Sequence, residues 1–160
     1  MNFNELFELQ NLLDKNIKSE HMIIEPILPK KLLSLEIQIG ELANVTQCSE
    51  YINNTISSNK KCILEKYINC LSSILSIGVE KRFTNINLNI ASHNIDLTEQ
   101  FLNLFLDVND LIVCNSKDHY ITLLEDFLSL SFNLNLGLQQ IKDAYVQKNK
   151  IFLMHQNANN

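Results

Sequence analysis

The chain has 160 residues, of which 46% are apolar and 19% charged, a composition typical of a single soluble globular domain. Its net charge of −5, its one arginine and the lack of a basic cluster disfavour a surface that binds nucleic acid. No apolar run reaches the roughly 18 residues of a membrane span, and the N-terminal MNFNELFELQ is unlike a signal peptide, so we expect a cytoplasmic protein.

Few residues in this chain break helices. Three glycines and two prolines favour long helices over strands, which would need many more turn residues. The four cysteines show no C-x-x-C pairing and are expected to be reduced and at least half-buried, and the scattered histidines disfavour a zinc site. These cysteines are Cys48, Cys62, Cys70 and Cys114.

The first two helices are predicted from apolar residues that recur every three or four positions. Helix one covers about 4–18, and Pro26 and Pro29 exclude a helix between Ser19 and Lys30. Helix two starts near Lys30 and runs past Tyr51. The predicted apolar faces are Leu6, Leu9, Leu12, Leu13 and Ile17 in helix one, and Leu32, Leu35, Ile39 and Leu42 in helix two.

The third helix is predicted over about 61–81, and Gly78 within it indicates a close approach of another helix. Residues 83–95 alternate apolar and polar, but a lone strand has no partner, so a loop is preferred. The apolar face of helix three comprises Ile63, Tyr67, Cys70, Leu71, Ile74, Leu75 and Gly78.

The remaining helices complete a bundle of about six. Asp96 and Glu99 resemble a capping box that starts helix four, about 97–113. Helix five covers about 117–136, with Gly137 as its C-terminal cap, and helix six covers about 138–153. Residues 1–155 are thus predicted to form one all-α domain, followed by a frayed tail at 156–160.

Two pairs of residues in the second and third helices share a three-residue spacing. Gln38 and Glu41 lie one turn apart, as do Lys66 and Asn69. Carboxylates in such pairs on facing helices can hold metal ions in a helical bundle. Here only one of the four is a carboxylate.

Four segments resemble the dimeric all-α dUTPase family, part of the MazG-like nucleoside triphosphate pyrophosphohydrolase superfamily. They are MNFNELFELQNLLDKNI, LPKKLLSLEIQIGELANVTQC, LEKYINCLSSILSIGVE and YITLLEDFLSLSFNLNLGLQQIKDAYVQKNK, and together they cover most of the chain. The resemblance implies an all-α bundle, a homodimer and hydrolysis of dUTP to dUMP and pyrophosphate. It also implies Mg²⁺ ions held by an E-x-x-E pair and an E-x-x-D pair.

The metal-binding pattern of the family is largely replaced in this chain. The E-x-x-E pair corresponds to Gln38 and Glu41, and the E-x-x-D pair to Lys66 and Asn69. A set of charges totalling −4 becomes zero, which weakens attraction for Mg²⁺. Either the Lys66 ammonium takes the metal position and pairs with Glu41, or it faces solvent.

Other residues match positions that contact the nucleotide in the family. Gln10 corresponds to a glutamine near the base, and Tyr145, Lys148, Asn149 and Gln156 match the C-terminal motif. Phe152 and His155 depart from that motif, where an asparagine and an arginine are expected. These matches make the five residues candidates for binding a deoxyuridine nucleotide.

Two classes of function follow from the resemblance. With three of four ligands replaced, we expect a catalytically weak or inactive relative that binds a nucleotide or a protein partner. The alternative is an active pyrophosphatase with a re-sited Mg²⁺ around Glu41, assisted by Gln38, Asn69 and water. Convergence of two further carboxylates on Glu41 would favour that alternative, the candidates being Glu36, Glu50, Glu65 and Asp126.

Overall fold

In the part of the chain that the structure describes, the protein consists of six α-helices and their connections. The structure, a computed structural model, describes residues 2–20, 22, 27–48, 59–92 and 94–158, with side chains through 154. No strand occurs in these ranges, so the predicted all-α bundle is confirmed. The helices are α1 (Phe3–Glu20), α2 (Leu28–Thr46), α3 (Lys60–Lys81), α4 (Leu97–Val113), α5 (Lys117–Asn133) and α6 (Leu138–Ala158).

Helix α3 is the centre of the bundle. It packs against α1, α2, α5 and α6, while α4 packs against α2 and α5. By length and composition alone α3 could cross a membrane, but 56% of its apolar window is buried inside the protein. Burial on several sides explains why this helix is so apolar, since a core helix needs no polar face.

The predicted apolar faces of α2 and α3 are confirmed. All four named residues of α2 and all seven of α3 are buried. In α1 the prediction is partly wrong, because Leu12 is 48% exposed while Phe7 and Gln10 are buried. The buried face of α1 therefore includes Phe7, which contacts α3 near Gly78.

Several helix boundaries differ from the prediction. Helix α2 ends at Thr46, not beyond Tyr51, and Gln47 takes the left-handed conformation with φ 58°. The prediction that no helix occurs between Ser19 and Lys30 is wrong at both ends, because α1 continues to Glu20 and α2 begins at Leu28. Pro29 lies in the first turn of α2, where its missing N–H costs nothing. Helix α6 continues to Ala158, five residues past its predicted end, and so includes 156–158 of the tail expected to fray.

The predicted cap at Gly137 is wrong. Helix α5 ends at Asn133, and Asn135 takes the left-handed conformation with φ 52°. The Leu136 N–H donates to Ser131 O and the Asn135 N–H to Phe132 O, which is the Schellman arrangement with asparagine in place of glycine. Gly137 instead accepts the Ile141 N–H at the start of α6.

Gly78 marks a close approach between α3 and two other helices, as predicted. A Cβ atom added there would lie 2.6 Å from Tyr120 Cζ on α5 and 2.9 Å from Phe7 Cε1 on α1. The Tyr120 hydroxyl is buried and donates to Ile74 O at 3.1 Å. Only a residue without a side chain leaves room for this tyrosine.

The start of α4 and the connection before it follow the sequence prediction. Asp96 Oδ1 accepts the Glu99 N–H at 2.9 Å, so the expected N-cap is present. Residues 83–92 form a loop rather than a strand. Among the cysteines, Cys70 is buried and Cys48 and Cys62 half-buried, but Cys114 is exposed, against expectation.

Candidate functional site

The four residues predicted to correspond to metal ligands lie on α2 and α3. Lys66 Nζ is 2.7 Å from Glu41 Oε2, with the two side chains 31% and 48% exposed. This hydrogen bond raises the pKa of Lys66 above its ordinary value. Of the two arrangements that the sequence left open for Lys66, the structure has the one in which its ammonium pairs with Glu41.

The two amide side chains at these positions are also engaged by the protein. Gln38 Oε1 accepts the Ser73 hydroxyl at 2.7 Å, and Gln38 Nε2 donates to Ser34 Oγ at 3.3 Å. Asn69 Oδ1 accepts a hydrogen bond from Lys148 on α6. The four side chains therefore connect α2, α3 and α6 through contacts that need no ion.

This set of donors does not fit Mg²⁺. The ion takes hard oxygen ligands at octahedral positions and relies on carboxylate charge. Here the one carboxylate, Glu41, is neutralised by an ammonium, and both amide oxygens already accept hydrogen bonds. In the described part of the chain, no three carboxylate, histidine or cysteine side chains converge on a metal position. Glu50 lies outside the described residues.

Gln10 is held in one orientation by two neighbours. The buried Tyr145 hydroxyl donates to Gln10 Oε1 at 2.7 Å, and Gln10 Nε2 donates to Asp14 Oδ1 at 2.7 Å. Burial, and then the charge of Asp14, raise the pKa of Tyr145, which therefore stays protonated as a donor. Rotating the amide by 180° would place its oxygen against the Asp14 carboxylate, so the orientation is fixed.

Asp14 is a residue of this site that sequence reasoning missed. Its Oδ2 accepts the Ser76 hydroxyl at 2.6 Å and the Lys31 ammonium at 3.0 Å. Lys31 also donates to Ser76 O at 3.2 Å, and its Nζ lies 3.4 Å from Glu80 Oε2. The signal was the spacing of Gln10 and Asp14, four residues apart and thus neighbours on one face of α1.

A groove of about 350 Å³ opens between α1, α2 and α3 beside these residues. It has Gln10 and Asp14 on α1, and Lys30 and Lys31 on α2, along its walls. Its other polar lining comes from four serine hydroxyls, those of Ser34, Ser72, Ser73 and Ser76. Because Ser34 and Ser73 also contact Gln38, the groove lies directly next to one of the four positions that the sequence predicts to correspond to metal ligands.

The other candidates are on α6. Lys148 reaches Asn69, and partial burial lowers its pKa, opposed by the charge of Glu65. Asn149 is 6% exposed; its Nδ2 makes no hydrogen bond of good geometry among the described residues, but it lies close enough to the Tyr145 hydroxyl to oppose the rise in the pKa of that group. Burial raises the pKa of the Cys70 thiol to about 12, and Glu41, Lys66 and Lys148 are close enough to act on it electrostatically. The Gln156 side chain lies outside the described part.

Comparison with known proteins supports the resemblance noted in the sequence. A family model described as dUTPase matches residues 2–159, almost the whole chain. No curated protein and no solved structure matches the chain. The family match and the six-helix bundle agree, and the chain belongs to the dUTPase family of nucleotide pyrophosphohydrolases.

Proposed function

We propose that this protein binds a deoxyuridine nucleotide without cleaving it in the Mg²⁺-dependent reaction of its family. The observation that carries the proposal is the 2.7 Å contact between Lys66 Nζ and Glu41 Oε2. An ammonium at this position repels a divalent cation and takes up the one carboxylate that remains. Without Mg²⁺, the hydrolysis reaction lacks compensation for the negative charge of the phosphates. Binding in the neighbouring groove needs no metal.

The chemistry of the groove supports binding of a pyrimidine nucleotide. After the contacts with Tyr145 and Asp14, the Gln10 amide keeps one free N–H and one free lone pair. A uracil ring offers the complementary carbonyl oxygen and N–H at adjacent positions. The groove volume of about 350 Å³ lies in the range of sites for small ligands.

On the α6 side, two candidates remain suited to phosphate or sugar. Asn149 Nδ2 is a buried donor that makes no hydrogen bond of good geometry, so a ligand oxygen would satisfy it better than the nearby Tyr145 hydroxyl does. Lys148 supplies an ammonium next to Asn69. We propose both as nucleotide contacts, and Gln156 stays a prediction from the sequence.

The decisive experiment measures cleavage and binding separately. Pyrophosphate release from dUTP is assayed with Mg²⁺ and with Mn²⁺, and calorimetry measures binding of dUMP and dUTP in EDTA. We expect no release but saturable binding. Binding should weaken at least tenfold in Gln10→Ala and stay unchanged in Gln140→Ala, which removes the same side chain from the exposed face of α6.

Two results would contradict the proposal. Release that Glu41→Ala abolishes would establish the alternative, an active site with a re-sited ion around Glu41. If the protein neither releases pyrophosphate nor binds the nucleotides, the remaining explanation is a family member that acts through protein partners. Circular dichroism of each variant verifies that loss of binding is not loss of folding.

We further propose that the chain forms a homodimer through α4. Leu102, Leu106 and Val113 are 61%, 63% and 87% exposed and recur along one side of that helix. A leucine stripe of this exposure is stabilised when a second copy covers it. Light scattering should give twice the mass of one chain, and Leu102→Glu with Leu106→Glu should give the monomer. A monomeric mass for the unaltered protein would contradict the proposal.

A further inference from the structure

A second groove lies on a different side of α1 from the Gln10 groove. It has a volume of about 660 Å³ and runs between α1 and the residues that follow α3. Its α1 wall carries Asn4, Glu8, Asn11 and Lys15, which recur at i, i+4, i+7 and i+11 and therefore share one face. That face is rotated by roughly 120° from the one that carries Gln10 and Asp14. Nothing in the proposed nucleotide site uses it.

Two cations, Lys15 and Arg82, line this groove together with one acidic residue. Among the described residues, neither the Lys15 ammonium nor the Arg82 guanidinium forms an ion pair or a side-chain hydrogen bond. Other lysines in the same bundle, such as Lys18 and Lys31, are paired with carboxylates. Glu8 is the one acidic residue in the lining, so the groove carries a net positive charge in a protein of net charge −5.

Arg82 occupies a backbone position that suits glycine. Its φ is 58°, in the left-handed region that a long side chain adopts at a cost of about 1 kcal/mol. Its N–H donates to Val79 O at 3.2 Å, and the Phe83 N–H donates to Gly78 O at 2.8 Å. The only arginine of the chain is therefore anchored at the rigid end of α3, although glycine would be more stable there. Gln47 and Asn135 take the same conformation at the ends of α2 and α5, so the conformation alone assigns no role to the Arg82 side chain.

Apart from Glu8, the remaining lining is neutral; Phe7 and Val79 contribute apolar surface, and the other residues are polar. Asn4, Asn11 and Asn85 contribute carboxamides, and Thr84 contributes a hydroxyl. These groups donate and accept hydrogen bonds without selecting a charge. They suit the hydroxyl groups of a small polar molecule, whereas Arg82 and Lys15 suit an anion attached to it.

We propose that this groove binds a small phosphate monoester, with its phosphoryl group between Arg82 and Lys15. The planar guanidinium presents two parallel N–H groups to a phosphate, and the ammonium neutralises the second charge of the dianion. A carboxylate would match only one of the two cations. The inference stands independently of nucleotide binding beside Gln10, because the two grooves share no lining residue.

The test uses ribose 5-phosphate as the probe and ribose as its uncharged control. Calorimetry at low salt should detect the phosphate ester and not the sugar, and NMR should show shifts in the amide signals around Lys15, Arg82 and Asn85. In Arg82→Gly, affinity should fall at least tenfold while the midpoint of urea unfolding is unchanged or raised. The affinity of Arg82→Lys should lie between those of Arg82→Gly and the unaltered protein.

A matched variant removes the same charge elsewhere. Lys150 is exposed on α6 and lines neither groove, so Lys150→Gln should leave the affinity unchanged. Equal affinity in Arg82→Gly and the unaltered protein would overturn the proposal, as would equal binding of ribose and its phosphate ester. NMR shifts confined to the Gln10 groove would also overturn it, and would leave the nucleotide proposal intact.

Discussion

Tyr145 on α6 and Gln10 on α1 are joined by a hydrogen bond of 2.7 Å between two side chains that are almost fully buried. The residues are 135 positions apart, and the bond continues through Gln10 Nε2 to Asp14. It connects the two ends of the chain and fixes the amide that faces the α1–α2–α3 groove. A buried network of this kind is strong only while each member keeps its partner.

Tyr145→Phe should therefore destabilise the protein without creating a cavity. The change removes one donor and leaves Gln10 Oε1 buried without it, which costs about 1–3 kcal/mol. Urea unfolding should show a lower midpoint with an unchanged slope. An unchanged midpoint would mean that water or another donor replaces the tyrosine hydroxyl.

Restoring the family ligands should restore metal binding. The triple variant Gln38→Glu, Lys66→Glu, Asn69→Asp places four carboxylates between α2 and α3, where the structure has one paired carboxylate. We expect lower stability without metal because like charges repel, and a rise in melting temperature with Mg²⁺. Calorimetry measures the uptake of Mg²⁺ directly. The unaltered protein is the control, and no uptake by the triple variant would refute the prediction.

Two glycines in helices should respond in opposite directions to the same substitution. Gly78→Ala brings a Cβ to 2.6 Å from Tyr120 Cζ and should cost about 1–3 kcal/mol through overpacking. Gly40→Ala meets nothing within 4 Å and should stabilise α2 by up to about 1 kcal/mol. Thermal unfolding of both variants tests the pair. Equal effects would show that the close approach at Gly78 relaxes at no cost.

The protein should lose stability as the pH rises, because the carboxyl group of Asp107 on α4 is partly buried beside that of Asp126 on α5. Burial, and then the neighbouring Asp126, raise the pKa of Asp107 from 3.8 to about 7. A raised pKa means that the folded state binds the proton more tightly than the unfolded state. This contribution to stability is therefore complete below about pH 4 and is lost as the pH rises to about 7.

Asp107→Asn should remove that dependence. The amide can donate to Asp126 at every pH, so the variant should gain about 1 kcal/mol relative to the unaltered protein at pH 8 and nothing near pH 4. Urea unfolding at both pH values gives the difference. Asp143→Asn, the same change at an exposed position of α6, should show the same dependence of stability on pH as the unaltered protein. A parallel pH profile for Asp107→Asn would contradict the assignment.

The helices, and the buried faces of α2 and α3, were determined by local sequence. Leu32, Leu35, Ile39 and Leu42 recur with the period of a helix, and Asp96 supplies a cap whose geometry needs only its own neighbours. The end of a helix was harder to predict from the sequence where a residue in the left-handed conformation terminates it. Asn135 adopts that conformation two residues before the expected Gly137, because Leu136 is buried there and draws the chain into the Schellman turn.

The candidate site was only partly determined by the sequence. The spacing of Gln38 with Glu41 and of Lys66 with Asn69 was visible in the sequence, and so was the presence of only one carboxylate among them. That Lys66 pairs with Glu41, that Lys148 reaches Asn69, and that Tyr145 holds Gln10 were decided by packing between distant segments. The physical reason is that periodicity specifies which face of a helix is buried, whereas the partner of a polar side chain depends on how two helices are brought together.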